Sequence, residues 1–239
     1  MSNISEILKS TAHRPYEYPE RPWWYYQEWN RALLLHYEVP YELLKKLVPK
    51  GLDIDTFNGK AYISIIPFTM ERLRPRLLPS LSWISNFQEI NVRTYVEVGN
   101  KKGVYFLNIE AGKYLSAILT RKLSKLPYEK ANIKREGTTY YSKNSKKGFW
   151  LDVAYTVGET IQQKSELDIW LTERYCLYLK SQDTLYRYDV HHREWELKEV
   201  TVTRLDIHYP IGELLLNYPA DLTHYSNGVQ VLIWDKVKI

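Results

Sequence analysis

A single cysteine, Cys176, stands among 239 residues, so an intramolecular disulfide and a cysteine-built zinc site are both excluded. Apolar runs are equally scarce, and none nears the roughly 18 residues that cross a bilayer. The opening residues, MSNISEILKS, lack the basic start and uninterrupted apolar core of a secretory signal. A cytoplasmic location without a membrane partner is therefore expected. Phosphate loops, dinucleotide fingerprints and G-x-S-x-G elbows are also missing, which argues against nucleotide-dependent enzymes and serine hydrolases and leads us to expect no cofactor. No internal repeat or low-complexity tract is present.

Charge is unbalanced only slightly, at +5 with 33 basic and 28 acidic residues. Basic residues are thickest from Arg121 to Lys147, but Glu129 and Glu136 interrupt them, so a solvated basic face is expected and nucleic acid is not expected as a partner. What the chain has in abundance is aromatic side chains, with 21 Tyr and 8 Trp. Both suit β surfaces and amphipathic pockets, because the ring packs while the hydroxyl or indole N–H finds a partner.

The punctuation is that of β hairpins. Asn58-Gly59 lies between DIDTF and KAYISIIPF, and Gly99-Asn100 with Gly103 joins NVRTYVEV to VYFLNIEA. Further turns are predicted at Gly137, at Asn144 to Gly148 and at Gln182-Asp183. Helices are few: a short one over Ile4 to Lys9, one after Pro40 ended by Pro49 and Gly51, a stronger one over Lys113 to Lys125 closed by Pro127, and a short one over Gly212 to Leu216. The Pro-rich stretch RPYEYPERPWWYYQEW reads as extended chain leading into a first strand near Trp29 to Tyr37. The sum is a mainly β (α+β) fold with a closed or strongly curved antiparallel sheet, residues 1–20 forming an N-terminal extension and 21–239 a single domain.

Strands that only fill a core read apolar on the inward face, so charges inside β patterns need partners or a ligand. In NVRTYV the period of two sets Asn91, Arg93 and Tyr95 on one face, which lies in solvent or in a cavity; Glu110 on the next strand is a candidate partner for Arg93. LTERYCLY, read as a strand, sets Glu173 and Tyr175 on one face and Arg174 and Cys176 on the other. Cys176 reads as a small buried hydrophobe rather than a nucleophile. His191 and His192 are adjacent on a strand and point to opposite faces, so they cannot readily share a metal, and no metal site is expected. One of the pair, His192, is a candidate pocket residue beside Trp195, as is His224 at the start of the last strand.

The blocks RPWWYYQEW, SIIPF, NVRTYV, GVYFLNIEA, LPY, LTERYCLY, HHREWEL and HYSNGVQVLIW, taken in order from about Arg21 to Trp234, resemble the YqjF-like family, a bacterial family of unknown function. That family is similar in fold to acetoacetate decarboxylase, which implies a cone-shaped antiparallel β barrel around a small pocket. In that enzyme a lysine beside a second lysine forms an imine with a ketone. The corresponding stretch here is Leu126-Pro127-Tyr128-Glu129-Lys130, where Tyr128 and Glu129 replace the lysine pair. Imine chemistry is therefore not expected, with Lys113 as a remaining candidate only if it reaches the cavity. The resemblance and the polar strands together imply a protein that binds a small anionic or carbonyl-containing ligand. Arg93, Tyr95, Glu110, Tyr128, Glu173, Tyr175, His192 and His224 are the candidate ligand-binding residues. A lyase or isomerase of small keto compounds is the alternative, and homo-oligomerisation stays open.

Overall fold

The computed structural model describes residues 4–113 and 126–239, so the helix expected over Lys113 to Lys125 lies outside the described residues, apart from Lys113. Four short helices are seen in them: α1 (Ile4–Lys9), α2 (Tyr41–Lys45), α3 (Ser82–Ser85) and α4 (Glu166–Thr172). The strands are β1 (Tyr25–Val39), β2 (Asp53–Ile54), β3 (Ala61–Pro75), β4 (Phe87–Val98), β5 (Lys101–Ala111), β6 (Tyr128–Lys130), β7 (Asn132–Glu136) and β8 (Thr139–Asn144). They continue with β9 (Phe149–Thr160), β10 (Cys176–Ser181), β11 (Thr184–His192), β12 (Lys198–Ile211), β13 (Leu214–Leu216), β14 (Leu222–Ile233) and β15 (Val237–Lys238).

All belong to one connected sheet, and β11 pairs with both β10 and β14, so the path β11-β10-β5-β4-β3-β1-β14 returns on itself. Closure removes sheet edges and encloses an interior. From β14 the sheet continues through β12, β9, β8 and β7 as a wing. Two cores result. Ala32, Leu34, Ile66 and Phe68 face the interior, whereas Leu33, Leu35, Ile63, Ile65, Ile90 and Val92 pack outward against Tyr140, Leu151, Val153 and Tyr209 of the wing. Both faces of much of β1, β3 and β4 are thus buried, which is why Leu33 to Leu35 and Ile63 to Phe68 are mostly apolar on both faces.

Hairpins form at Gly99-Asn100, Gly137, Asn144 to Gly148 and Gln182-Asp183, as the turn residues predict. Asn58 and Gly59 both take positive φ, 49° and 80°, as a two-residue turn of the I′ kind requires. The hairpin itself is cut to one bridge, Phe57 to Lys60, because β2 leaves to pair with β4. The expected all-antiparallel sheet contains two parallel pairs, β10 with β5 and β5 with β6.

Three further expectations are corrected. The first strand begins at Tyr25, earlier than Trp29, since the chain after Pro22 is free to pair with β14. Residues 212–216 form a turn and a strand instead of a helix: Gly212 has φ of 60°, and Leu214 and Leu216 are buried while Leu215 is exposed, a period of two. LTERYCLY is not one strand, because Leu171 and Thr172 end α4, residues 173–175 are a connector, and β10 starts at Cys176. The Ser165 hydroxyl accepts from the Asp168 N–H while the Asp168 carboxylate accepts from the Ser165 N–H, so SELD is a capping box that starts this helix.

α1 and the chain up to Tyr18 lie against the ring: Ile7 is buried with Tyr26, Leu232 and Trp234. The Ile7 carbonyl meets the His191 ring nitrogen Nε2 at 2.7 Å. No helix among the described residues is long and apolar enough to cross a membrane.

Candidate functional site

Inside the ring is a cavity of about 350 Å³. Most of its wall is apolar, and the polar groups come from a few neighbouring positions. The inward face of β4 contributes Glu89, Asn91 and Arg93 in succession, each at least nine-tenths buried. The connector after α4 adds Arg174, β6 adds Tyr128 and β11 adds His192.

The two guanidinium groups differ in their partners. Arg174 is ion-paired with buried Asp55 at 2.5 Å and donates to the Trp170 carbonyl at 2.6 Å. Arg93 donates through Nη2 to the Leu171 carbonyl at 3.1 Å, its ring contact is Tyr95 at 5.7 Å, and no carboxylate among the described residues lies within ion-pair distance of it. Three buried polar atoms on the cavity residues have no hydrogen-bond partner among the described residues: Asn91 Oδ1, Arg93 Nε and Arg174 Nη2. Buried polar groups are normally satisfied, so a cluster of such atoms on one wall is what a ligand site provides.

Glu89 is a neutral acid at pH 7, because burial pushes its carboxyl up to about 8 against the opposing hydrogen bond that the Tyr128 hydroxyl donates at 3.1 Å. Burial lowers His192 as well, with Glu173 opposing, and its Nδ1 donates to the Arg193 carbonyl at 2.7 Å. His192 lines the cavity with Trp195, which it meets edge-on at 5.7 Å, and is stacked at 4.8 Å on Tyr175, which is not a lining residue.

Beneath the cavity runs a line of buried side chains. The Tyr95 hydroxyl donates to Ser64 Oγ at 2.5 Å, Ser64 to His36 Nδ1 at 2.7 Å, His36 Nε2 to His224 Nδ1 at 3.3 Å, and His224 Nε2 to Asp168 Oδ1 at 2.9 Å. We assign the donors from the fixed end, since the Asp168 carboxylate only accepts. Burial lowers the pKa of both histidines, so each is neutral with one ring proton, as this assignment requires.

The sequence-predicted residues divide accordingly. Arg93, Tyr128 and His192 reach the cavity, whereas Tyr95, Tyr175 and His224 are not among its lining residues; Tyr95 and His224 belong to the hydrogen-bonded line beyond Arg93. Glu110 does not join them. A β-bulge between Val92 and Arg93 pairs Glu110 with Ile90 on the outward face, where Ser142 and Tyr209 donate to it at 3.1 Å each. Glu173 does not meet Arg93 either: it accepts from Tyr175, from the Trp195 N–H at 3.0 Å and from Lys164, bracing the aromatic wall from behind. The expected carboxylate contact of Arg93 is thus replaced by a backbone carbonyl. Glu89, the floor pair His36 and Ser64, and Asp168 were not singled out from sequence. Glu89 shares the period of Asn91 and Arg93, and the SELD capping box marks Asp168, so both carried a signal.

No lysine lines the cavity among the described residues. Lys113 is exposed and donates to the Trp83 carbonyl at 3.3 Å. Tyr128 stands in the wall with its hydroxyl on Glu89.

A β ring of this topology around a mostly apolar cavity with a few buried polar groups matches an acetoacetate decarboxylase-like fold, and comparison with solved structures agrees. Enduracididine biosynthesis enzyme MppR complexed with pyruvate superposes with a TM-score of 0.62 at 10% identity, covering 94% of this chain and 93% of that one. An acetoacetate decarboxylase gives 0.61 at 16% identity, covering 98% and 97%. The enzyme from Legionella pneumophila gives 0.58 at 12%, covering 98% and 94%. At these identities the likeness shows the fold alone. Within that fold, the chain belongs to the DUF2071 family of uncharacterized conserved proteins, which matches residues 26–230. It is 36% identical over 228 residues to the uncharacterized protein YqjF of Bacillus subtilis (strain 168), covering 90% of this chain and 93% of that protein.

Proposed function

We propose that this protein binds a small molecule bearing a carboxylate, enolate or carbonyl in the cavity, with the negative group on Arg93. The observation that carries this reading is a buried guanidinium on the cavity wall that has no carboxylate partner, and whose Nε has no hydrogen-bond partner, among the described residues. An uncompensated buried charge costs several kcal/mol, and an anionic ligand offsets that cost. Glu89, four residues away on the same face of β4, is neutral at pH 7 and so adds no repulsion. The pyruvate held by MppR, a protein of the same fold, is a carboxylate of this size and supports the reading.

Calorimetric titration with pyruvate and acetoacetate tests it. Arg93→Met is expected to weaken binding roughly 10- to 100-fold, the loss of charge-assisted hydrogen bonds. The same variant should melt higher than the parent when no ligand is added, because a buried charge is removed. Equal affinity in parent and variant, together with an unchanged melting temperature, refutes the anchor.

A second reading rests on Glu89 and Tyr128, an acid of raised pKa held at the wall: a lyase or isomerase of a small keto compound that works without a lysine imine. Exchange of substrate α-protons in deuterated water, abolished by Glu89→Gln and insensitive to borohydride, is its expected signature. Borohydride trapping of a lysine adduct would overturn it.

A further inference from the structure

The order of residues along the cavity points to a narrower class of ligand, and this inference rests on the Arg93 anchor proposed above. In the β3–β4 register Ser64 lies opposite Arg93, Ile66 opposite Asn91, Phe68 opposite Glu89 and Met70 opposite Phe87. Polar groups of β4 therefore sit at the floor and the middle of the cavity. Toward the other end, Met70 pairs with Trp29 and Pro75 with Tyr25, and Leu73, Leu78 and Leu81 complete the lining. Leu78 and Leu81 are 58% and 50% exposed, which places the mouth there. From Ile66 to Met70 the cavity wall runs roughly 13 Å along the strand at the usual rise per residue. A three- or four-carbon acid seated on Arg93 would leave the apolar upper wall uncovered. Exposed leucines around an opening are also what an apolar ligand site presents to solvent.

We infer that the ligand is an amphipathic monocarboxylic acid, its carboxylate on Arg93 and its aliphatic tail running past Phe68 and Met70 to the Leu78 and Leu81 mouth. Each methylene buried along that path contributes about 0.8 kcal/mol, or about fourfold in affinity.

The test is calorimetric titration of the full chain at pH 7 with butanoate, hexanoate, octanoate and decanoate, and with 1-octanol. Affinity is expected to rise about fourfold per added methylene until the tail leaves the mouth. Octanol should bind at least tenfold more weakly than octanoate, and Arg93→Met should weaken octanoate by a similar factor. A double variant, Leu78→Asp with Leu81→Asp, alters exposed side chains outside the packed core, so its fold is checked by its circular dichroism spectrum. It should weaken octanoate at least tenfold and leave butanoate unchanged. If butanoate binds as tightly as octanoate, or the double variant binds octanoate normally, the tail path is overturned while the anchor stands. If octanol matches octanoate, or Arg93→Met leaves octanoate unaffected, the anchor fails and the inference falls with it. Absence of binding by every acid overturns both.

Discussion

Replacing Glu89 with Gln isolates the free energy held in one buried proton. Burial displaces the Glu89 carboxyl from 4.5 to about 8. The native state therefore keeps a proton that the unfolded chain releases, and stability from this group is fully present below pH 4.5. It declines as pH rises, because only the unfolded state ionises, and levels off above the native pKa near 8. A displacement of this size corresponds to roughly 5 kcal/mol across the window. Gln has the same shape, stays neutral at every pH, and still offers an amide oxygen to the Tyr128 hydroxyl. Urea titrations of parent and variant between about pH 5 and 9 give the unfolding free energies, and their difference removes every other titrating group. That difference, parent minus variant, should fall by several kcal/mol from the acid to the alkaline end, so that the variant is the more stable protein above pH 8. A difference that is flat or that rises with pH would refute the assignment of Glu89 as a neutral buried acid.

Other perturbations bear on the scaffold. Asp55→Asn should cost about 3–5 kcal/mol, read as a fall in thermal midpoint, because it strands the buried Arg174 guanidinium; a loss under 1 kcal/mol would show that the pair is dispensable. Gly103→Ala sets a methyl 2.4 Å from the Cys176 carbonyl oxygen, so it should destabilise by about 1–3 kcal/mol and speed amide exchange in β10, where the parallel pairing with β5 is only two residues long. The folded pKa values of His36 and His224 lie below 6.5, so their contribution is present above about pH 6.5 and lost as pH falls. His36→Gln and His224→Gln should each flatten the acid limb of a melting-temperature profile, and an unchanged slope would contradict neutral floor histidines.

The strand framework was legible because its turn residues act locally. Gly99, Gly137 and Gly148 adopt the positive φ that their turns need, whatever the rest of the chain does. The polar face of Asn91, Arg93 and Tyr95 was legible for the same reason, since the period of two is a property of one strand. Pairing across strands is not local. One bulge between Val92 and Arg93 was enough to send Glu110 to the opposite side of the sheet and deprive Arg93 of its expected partner. Period arguments also mislead where an element ends inside an apolar run: Leu171 and Thr172 belong to a helix whose start, the Ser165 to Asp168 box, carried more information than its end. The line joins residues 36, 64, 95, 168 and 224, which lie on four neighbouring strands and a helix far apart in sequence, so no spacing could announce it.

That line has a polarity, and the polarity has an owner. Each inner member, Ser64, His36 and His224, gives one proton forward and receives one from behind, so none of them can turn around alone. The terminal carboxylate forbids the reversal, and Asp168 is held in place by the first turn of α4, where it accepts from the Ser165 N–H at 2.8 Å. Fraying that turn would release more than a short surface helix. It would let the hydrogens of the line point either way, up to the Tyr95 hydroxyl, whose ring carries the Arg93 and Arg174 guanidiniums at 5.7 and 4.9 Å from its centroid. Order at the rim of the protein and hydrogen orientation at its centre are therefore one variable, readable at either end.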